Sequence, residues 1–450
     1  MYQGHRATAD RLNHWLPPGG TEVDAVILSH GHLDHCGKLP VLVNAGYGKT
    51  IYCTPATAAV ARIVLTDSAE IQQENADYLN RRERGPEAEE VKPLYSLGDV
   101  SATLRLAKTV PYGQKTALSK SVWFTLYDAG HILGSAYVVL EWEEAGAMRS
   151  LLFTADIGRY NTPILRDPHP LAGPVDLVIT ESTYGNAKHA PIEQIGPDVL
   201  DAVKFCIANN SRLLVPAFAV GRTQTMLWYI QKLIADGLMP PIPVYVDSPM
   251  GVEVSEVHAH FRDYYDEQTK AMIGEKDLFG SSRVIFAKTG EESRRINHQA
   301  GACVIIASSP TCEFGRILHH LKLSVEREKD LVLFTGFIPS GTLGRRIQEG
   351  QKKVRILDRW YEVRCQTRTV HGLSAHADAE ELLRFLGPAL TPKTTAFVVH
   401  GEELQAETFA ARLLAAGVGQ AHVPAMESST VQFHAQARAE VSTSTVNAEE

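Results

Sequence analysis

No CxxC pair occurs in this 450-residue chain, and its six cysteines, Cys36, Cys53, Cys206, Cys303, Cys312 and Cys365, are scattered. That argues against a disulfide framework and against a thiolate zinc finger alike, so they read as small core residues. No apolar run approaches the roughly 18–20 residues that a membrane-spanning helix needs, and no membrane association is expected. The N-terminus, MYQGHRATAD, has neither the apolar stretch of a secretion signal nor the Arg-rich, acid-poor character of a transit peptide; the expected location is cytoplasmic. A basic excess is also missing. Lys and Arg total 44 against 52 Asp and Glu, a formal net charge of −8, so a polyanionic partner has to be met by a local basic patch. What the chain does have is length: 450 residues exceed the size at which one hydrophobic core stops growing, which favours two domains or one domain with a large insertion.

Residues 24–29, DAVILS, form a short apolar run ending in polar residues, the pattern of a buried parallel strand feeding a loop. Residues 56–84 run helically until Gly85-Pro86 breaks the pattern. Strand-like segments follow at 121–130, 136–142, 150–158 and 175–183, giving a sheet-rich first half. From about 190, helices alternate with apolar strands such as RLLVPAF, PVYVDSP, ACVIIASS and LVLFTGF, which predicts a βα-type middle domain with a parallel sheet. Strands return around 361–370 and at 395–399, and the tail from about 437 is polar and expected to fray.

The loop after the first strand reads HGHLDH. It places His30, His32, Asp34 and His35 within six residues, a donor set suited to a divalent metal such as zinc. Further ligands are expected at the ends of other strands, because parallel strands deliver their C-terminal loops to one edge. His131, Asp156 and His400 each end such a segment. The expected arrangement is two ions, one on His30, His32 and His131 and the other on Asp34, His35 and His400, with Asp156 bridging. Two ions so placed acidify a water and clamp a displacement at phosphorus, so the expected chemistry is hydrolysis. His258 and His260 also read HxH, but positions two apart on a helix face different ways, and both are expected at the surface. For His319 and His320, packing and substrate contact both stand.

At this point the residues resemble a known family. HGHLDH, DAGHILGSA (128–136) and FTADIG (153–158) resemble the metal-binding motifs of the metallo-β-lactamase fold. ESTYG (181–185), PAFAVGRTQ (216–224), VDSPM (246–250), ASSPTCEFGRILHHL (307–321), GFIPSGTLGRR (336–346), GLSAHAD (372–378) and VVHGE (398–402) together resemble the β-CASP nucleases. The resemblance implies an α/β protein: a metallo-β-lactamase αββα sandwich, residues 1–188 and 366–436, interrupted by a β-CASP α/β domain over 189–365, with residues 437–450 as tail and the active site in the cleft between the domains. It implies two Zn2+ and an RNA substrate, since RNA-cleaving members carry histidine where His400 stands. Glu181 and His376 match the family's acidic and histidine motifs. His376 would be general acid or scissile-phosphate contact and Glu181 its orienter, with Asp34 counted among the catalytic residues; a third ligand on the second metal is the alternative for His376, and an ordinary strand-end carboxylate that for Glu181.

Candidate phosphate contacts are Ser308, Ser309, Arg316, Gly341, Gly344, Arg345 and Ser374. Backbone binding would draw on the basic stretch 345–368, in which Arg345, Arg346, Lys352, Lys353, Arg355, Arg359, Arg364 and Arg368 outnumber Glu349, Asp358 and Glu362; a solvated surface is the plainer alternative. Two departures from the family stand out. Nothing in residues 1–23 reads as the N-terminal strands that precede a sequence like Tyr2-Gln3-Gly4, so a longer natural chain is expected, and Ile338-Pro339-Ser340 is less polar than the family's pattern. The sequence thus points to a zinc-dependent ribonuclease, an endonuclease with 5′ exonuclease activity left open. A different hydrolase of the same fold and a non-catalytic RNA-binding subunit are the alternatives, and a homodimer is left open.

Overall fold

The computed structural model describes residues 12–81, 90–274, 278–280, 283–336, 338–424, 429–432 and 440–443. They divide into two compact units, the first drawn from 1–160, 167–188 and 376–450 and the second from 161–166 and 189–375.

The first unit holds a seven-stranded sheet in the order Gln420–His422, Thr395–Val398, Leu177–Thr180, Ala147–Phe153, Ala136–Glu144, Val122–Asp128, Thr116–Ala117. Its first four strands run parallel and the remainder pair as antiparallel neighbours. Ala145 and Gly146, both at positive φ, join Glu144 to its partner Ala147, the backbone that a two-residue hairpin turn requires. Successive side chains alternate in destination. Phe124, Leu126, Ala136 and Val138 pack with Ile27 and Tyr52 of a second, three-stranded parallel sheet, Val26–Ile27, Ile51–Cys53 and Ala107–Thr109. Tyr137, Leu152, Val178, Ala396 and Val398 pack against Leu382, Phe385, Phe409 and Leu413 of helices Ala379–Leu386 and Glu403–Ala415. Both faces of the sheet are thereby buried, the sandwich that the period-2 alternation implies.

In the second unit six strands run parallel in the order Val284–Phe286, Val244–Asp247, Cys303–Ala307, Arg212–Pro216, Leu331–Phe334, Gln366–Thr369. Leu213, Val215, Val304, Ile306, Leu331 and Leu333 face helices Ile195–Asn209 and Arg222–Ala235, while Leu214, Ile305, Val332 and Phe334 face Ile317–Ser324 and Leu343–Gln348. Burial on both faces is why these strands read as continuous apolar runs. Among the described residues, no helix is long and apolar enough to cross a membrane.

Three sequence expectations are revised. Gln366–Thr369 pairs with Leu331–Phe334, so residues 366–375, assigned from sequence to the first unit, pack with the second. The helix over 56–84 spans Pro55–Arg81, with 82–84 outside the described residues. In the tail, Glu440–Thr443 pairs with Ser429–Gln432; the rest of 437–450, like Tyr2-Gln3-Gly4, lies outside the described residues. His258 is buried, its ring against Tyr265 and Phe279, whereas His260 is exposed. The two do face different ways, and the apolar surroundings push the His258 pKa down to about 3.

The pair His319–His320 is resolved by packing. His319 is exposed, while His320 is buried with its Nε2 2.6 Å from Asp247 Oδ2. Asp247, fully buried, also accepts from Ser293 Oγ at 2.6 Å and from Arg316 Nη1 at 2.7 Å. Burial works against its charge, and these three partners outweigh it, leaving its pKa lowered. Removing the carboxylate strands a buried histidine and a guanidinium. Asp247→Ala should therefore lower unfolding stability by about 3–5 kcal/mol, read as a shift of the urea midpoint.

Candidate metal centre

All nine residues named from sequence as ligands or catalytic groups lie in the first unit. His30 follows the strand Val26–Ile27, with Ser29 Oγ 3.1 Å from its Nδ1. Asp34 and His35 lie on the single helical turn Leu33–Cys36. Asp156 comes three residues after the strand Ala147–Phe153, His131 three after Val122–Asp128 and His400 two after Thr395–Val398.

The loop of His131 is set by hydroxyls: Ser135 Oγ accepts from His131 N at 3.0 Å, and Thr54 and Thr57 donate to Gly134 O at 2.8 and 2.7 Å. Gly158 N donates to Ala129 O at 2.8 Å and Ala377 N to Ile157 O at 2.7 Å, while Gly158 itself bridges His376. Three distant pieces of backbone thus meet beside Asp156. Only a glycine fits there: a Cβ on Gly158 would lie 2.0 Å from Gly130 O and 2.8 Å from His131 N.

The side chains form three groups whose ligand-type atoms lie within 4.8 Å of one another: His30, His32, His131 and Asp156; Asp34, His35 and His400; and Asp156, Glu181 and His400. In the first, His32 Nδ1 is 3.1 Å from both His30 Nε2 and His131 Nε2, and Asp156 Oδ2 is 3.3 Å from His30 Nε2. In the second, His400 Nε2 is 3.2 Å from His35 Nε2 and 3.5 Å from Asp34 Oδ2. Asp156 reaches toward both, with Oδ2 also 3.3 Å from His35 Nε2 and Oδ1 3.6 Å from His400 Nδ1. Yet Asp156 Oδ1 is buried with no hydrogen-bond partner. Imidazole nitrogens facing one another, around a carboxylate oxygen left without a proton donor, form a donor set suited to a divalent cation of the zinc type.

Burial sorts these histidines by charge. It pushes the His32 pKa down to about 3 and lowers His30 and His131 as well, keeping their lone pairs available. Asp156 stays well below the carboxylate range, because His30 and His35 outweigh its burial. At His400 burial also opposes charge, but Asp34, Asp156 and Glu181 prevail and raise its pKa to about 9.

Glu181 is no ordinary strand-end carboxylate. It is 1% exposed, its Oε1 accepts from Ile157 N at 2.7 Å, and its Oε2 lies 3.0 Å from His376 Nδ1. Burial opposes protonation of His376, yet Glu181 and Asp156 raise its pKa on balance. Among the described residues no metal-capable group includes His376, while one does include Glu181.

Residues 7–157 match the family described as metallo-beta-lactamase superfamily domain, 223–347 the Beta-Casp domain and 360–424 the Zn-dependent metallo-hydrolase RNA specificity domain. Ribonuclease TTHA0252 of Thermus thermophilus is 32% identical over 406 residues, covering 90% of this chain and 86% of that protein. The chain belongs to the β-CASP ribonucleases of the metallo-β-lactamase fold. An RNase J-like protein of Methanocaldococcus jannaschii is 28% identical over 86% of this chain and 84% of its own length. Transcription termination factor FttA of Methanosarcina mazei is 29% identical over 85% of this chain, which spans only 59% of that relative.

In this β-CASP chain the residues named as substrate contacts lie in the second unit. Ser308 and Ser309 follow the strand Cys303–Ala307, with Ser308 Oγ 2.9 Å from Ser248 Oγ and Ser309 Oγ 3.0 Å from Thr311 Oγ1. Gly341, Gly344 and Arg345 surround the start of Leu343–Gln348, where Gly344 N donates to Thr311 O at 2.8 Å; Ser374 follows Gln366–Thr369. Two of the cations are diverted: Arg316 donates to Asp247, Ala287 O and Lys288 O, and Arg345 to Glu349 at 2.7 Å. Sequence reasoning passed over the positioning residues Ser29, Ser135, Thr183, Thr54 and Thr57. Thr183, with Oγ1 3.1 Å from His400 Nδ1, and Ser135 stand inside quoted motifs, whereas nothing in the sequence marks Thr54 or Thr57.

Gly158→Ala should cost about 1–3 kcal/mol through overpacking and lower the metal content of the purified protein, because the clash falls on the backbone that carries His131. Thermal unfolding together with metal analysis checks both.

Proposed function

We propose that the chain is a zinc-dependent ribonuclease that hydrolyses RNA phosphodiester bonds endonucleolytically. One ion would be held by His30, His32 and His131 and a second by Asp34, His35 and His400, with Asp156 shared. The observation that carries the reading is the shared carboxylate: Asp156 lies within 3.6 Å of nitrogens from both histidine groups, and one of its buried oxygens makes no hydrogen bond. Bound there, the ions supply Lewis acidity toward a water and toward the phosphate oxygens.

The remaining work belongs to side chains. Glu181 holds Nδ1 of His376, which fixes the ring and leaves Nε2 as the atom from which a proton reaches the departing ribose oxygen. Burial opposes that proton, but Glu181 and Asp156 raise the His376 pKa on balance and so favour it. Asp34, the more exposed of the two aspartates at 42% and held ionised with its pKa lowered, accepts a hydrogen bond from the attacking water and orients it. The relatives named as ribonuclease and RNase J-like protein support RNA as substrate.

The deciding experiment is cleavage of 5′-labelled structured RNA, with DNA of the same sequence as control, before and after chelation and zinc restoration. Cleavage should be confined to RNA, vanish with chelator and return with zinc. His376→Ala should retain zinc and bind RNA yet cleave roughly 10²–10⁴-fold more slowly, the span of a lost general acid; loss of a zinc ion in this variant would instead make His376 a ligand.

The two metal groups should separate by pH. A ligand whose pKa is about 9 must lose a proton on binding below that pH, whereas one at about 3 is already neutral. As pH falls from 9 to 6, zinc affinity at the His400 group should drop by about tenfold per unit while that at the His32 group holds. Competition titrations against a chromophoric chelator would resolve the two components.

A further inference from the structure

The basic stretch 345–368 does not act as one patch. Arg345 pairs with Glu349, Arg346 with Glu313, Arg364 with Glu362 and Arg368 with Asp201. Lys352, Lys353, Arg355 and Arg359 make no ion pair among the described residues, and all four are exposed. Lys352 directly precedes, and the other three lie on, the hairpin Lys353–Ile356/Arg359–Glu362. Its register explains what it displays. Val354 and Ile356 are buried in the core of the second unit, which turns Lys353 and Arg355 outward. Opposite Arg355 stands Trp360, 68% exposed, and at the turn Leu357 is 49% exposed.

A tryptophan left in water needs a reason. Burying such a ring is worth several kcal/mol in a core, and Trp360 takes part in no ring stacking and lies under no cation among the described residues. Its neighbours decide what could cover it. Lys353 and Arg355 share its face, with Glu362 opposite Lys353 and held by Arg364, and docking this face on its counterpart in a second copy would bring the same two cations together. They suit a polyanion that carries flat aromatic groups.

We propose that this hairpin binds single-stranded RNA, with a base stacked on Trp360 and the flanking phosphates on Lys353 and Arg355, which share its face. An indole accepts any base on its face, so the contact is independent of sequence, and the cations follow the backbone. The proposal rests on the ribonuclease reading above and adds to it a docking surface in the second unit.

The test uses the full chain in a His376→Ala background, so that RNA persists, and fluorescence anisotropy with a labelled oligouridylate, which does not stack on itself. Trp360→Ala should weaken binding by roughly ten- to a hundredfold and Trp360→Phe by less than about threefold. Lys353→Gln and Arg355→Gln should each reduce the slope of log affinity against log salt by about 0.7. Equal affinity of parent and Trp360→Ala overturns the proposal while leaving the ribonuclease reading intact. Failure of wild-type protein to cleave RNA, with failure of the parent to bind it, overturns both. A change in sedimentation of RNA-free protein on Trp360→Ala would make the hairpin a contact between copies and would also overturn the proposal.

Discussion

A carboxylate that is 2% exposed and short of one hydrogen bond, Asp156, sets the terms for the first unit. Charge so deeply buried is tolerated only where opposite charge or polar donors surround it. Here the surroundings are imidazoles from the loop after Val26–Ile27, the loop after Val122–Asp128 and the loop after Thr395–Val398. Side chains that face one another nitrogen to nitrogen cannot hold their own loops in place, so that task passes to the backbone and to hydroxyls. Ser135, Thr54 and Thr57 tie down one loop, Thr183 braces His400, and Gly158 lets three strand ends approach closely. Backbone and hydroxyl contacts thus fix these loops, and the donor atoms they carry face one another as a divalent cation requires.

The same burial divides labour among histidines of identical chemistry. Desolvation dominates at His32 and His131, which favours the neutral form suited to coordinate, while at His376 and His400 nearby carboxylates prevail and favour the protonated form. Within one small volume the protein contains both lone-pair donors and a histidine oriented by a carboxylate. That division arises from depth and from the position of Glu181, not from residue type.

In the second unit the governing pattern is a parallel sheet buried on both faces, with polar residues collected at the C-terminal ends of its strands. Part of that polar set is structural. Asp247 gathers His320, Ser293 and Arg316 around one buried carboxylate, which gives two conspicuous motifs, VDSPM and the double histidine, a structural role. The basic stretch divides in a comparable way: half of its cations are paired with acids, and the other half lie on or beside the hairpin that carries an exposed indole.

Much of this was legible in the chain. Three imidazoles and a carboxylate within six residues after an apolar strand, with single metal-capable residues ending three later strands, pointed to a candidate metal centre whose donor atoms the structure brings together, and motif resemblance added the family, Glu181 and His376. Apolar runs marked the parallel sheet because burial on both faces removes any alternation. Other features had no local signature. His258 and His260 differ only in which side of one helix meets Tyr265 and Phe279. Residues 366–375 join the second unit because Gln366–Thr369 finds its partner in Leu331–Phe334, an energy of pairing and not of composition. Arg316 and Arg355 look alike in sequence, yet one is spent on Asp247 and the other faces water. The sequence by itself determined which chemistry was available and on which elements, since residue type and hydrophobic period are local properties. Which of those groups are buried, paired or left open was decided only by tertiary structure, because burial and pairing depend on residues far apart in the chain, as Glu181 and His376 are at 195 positions.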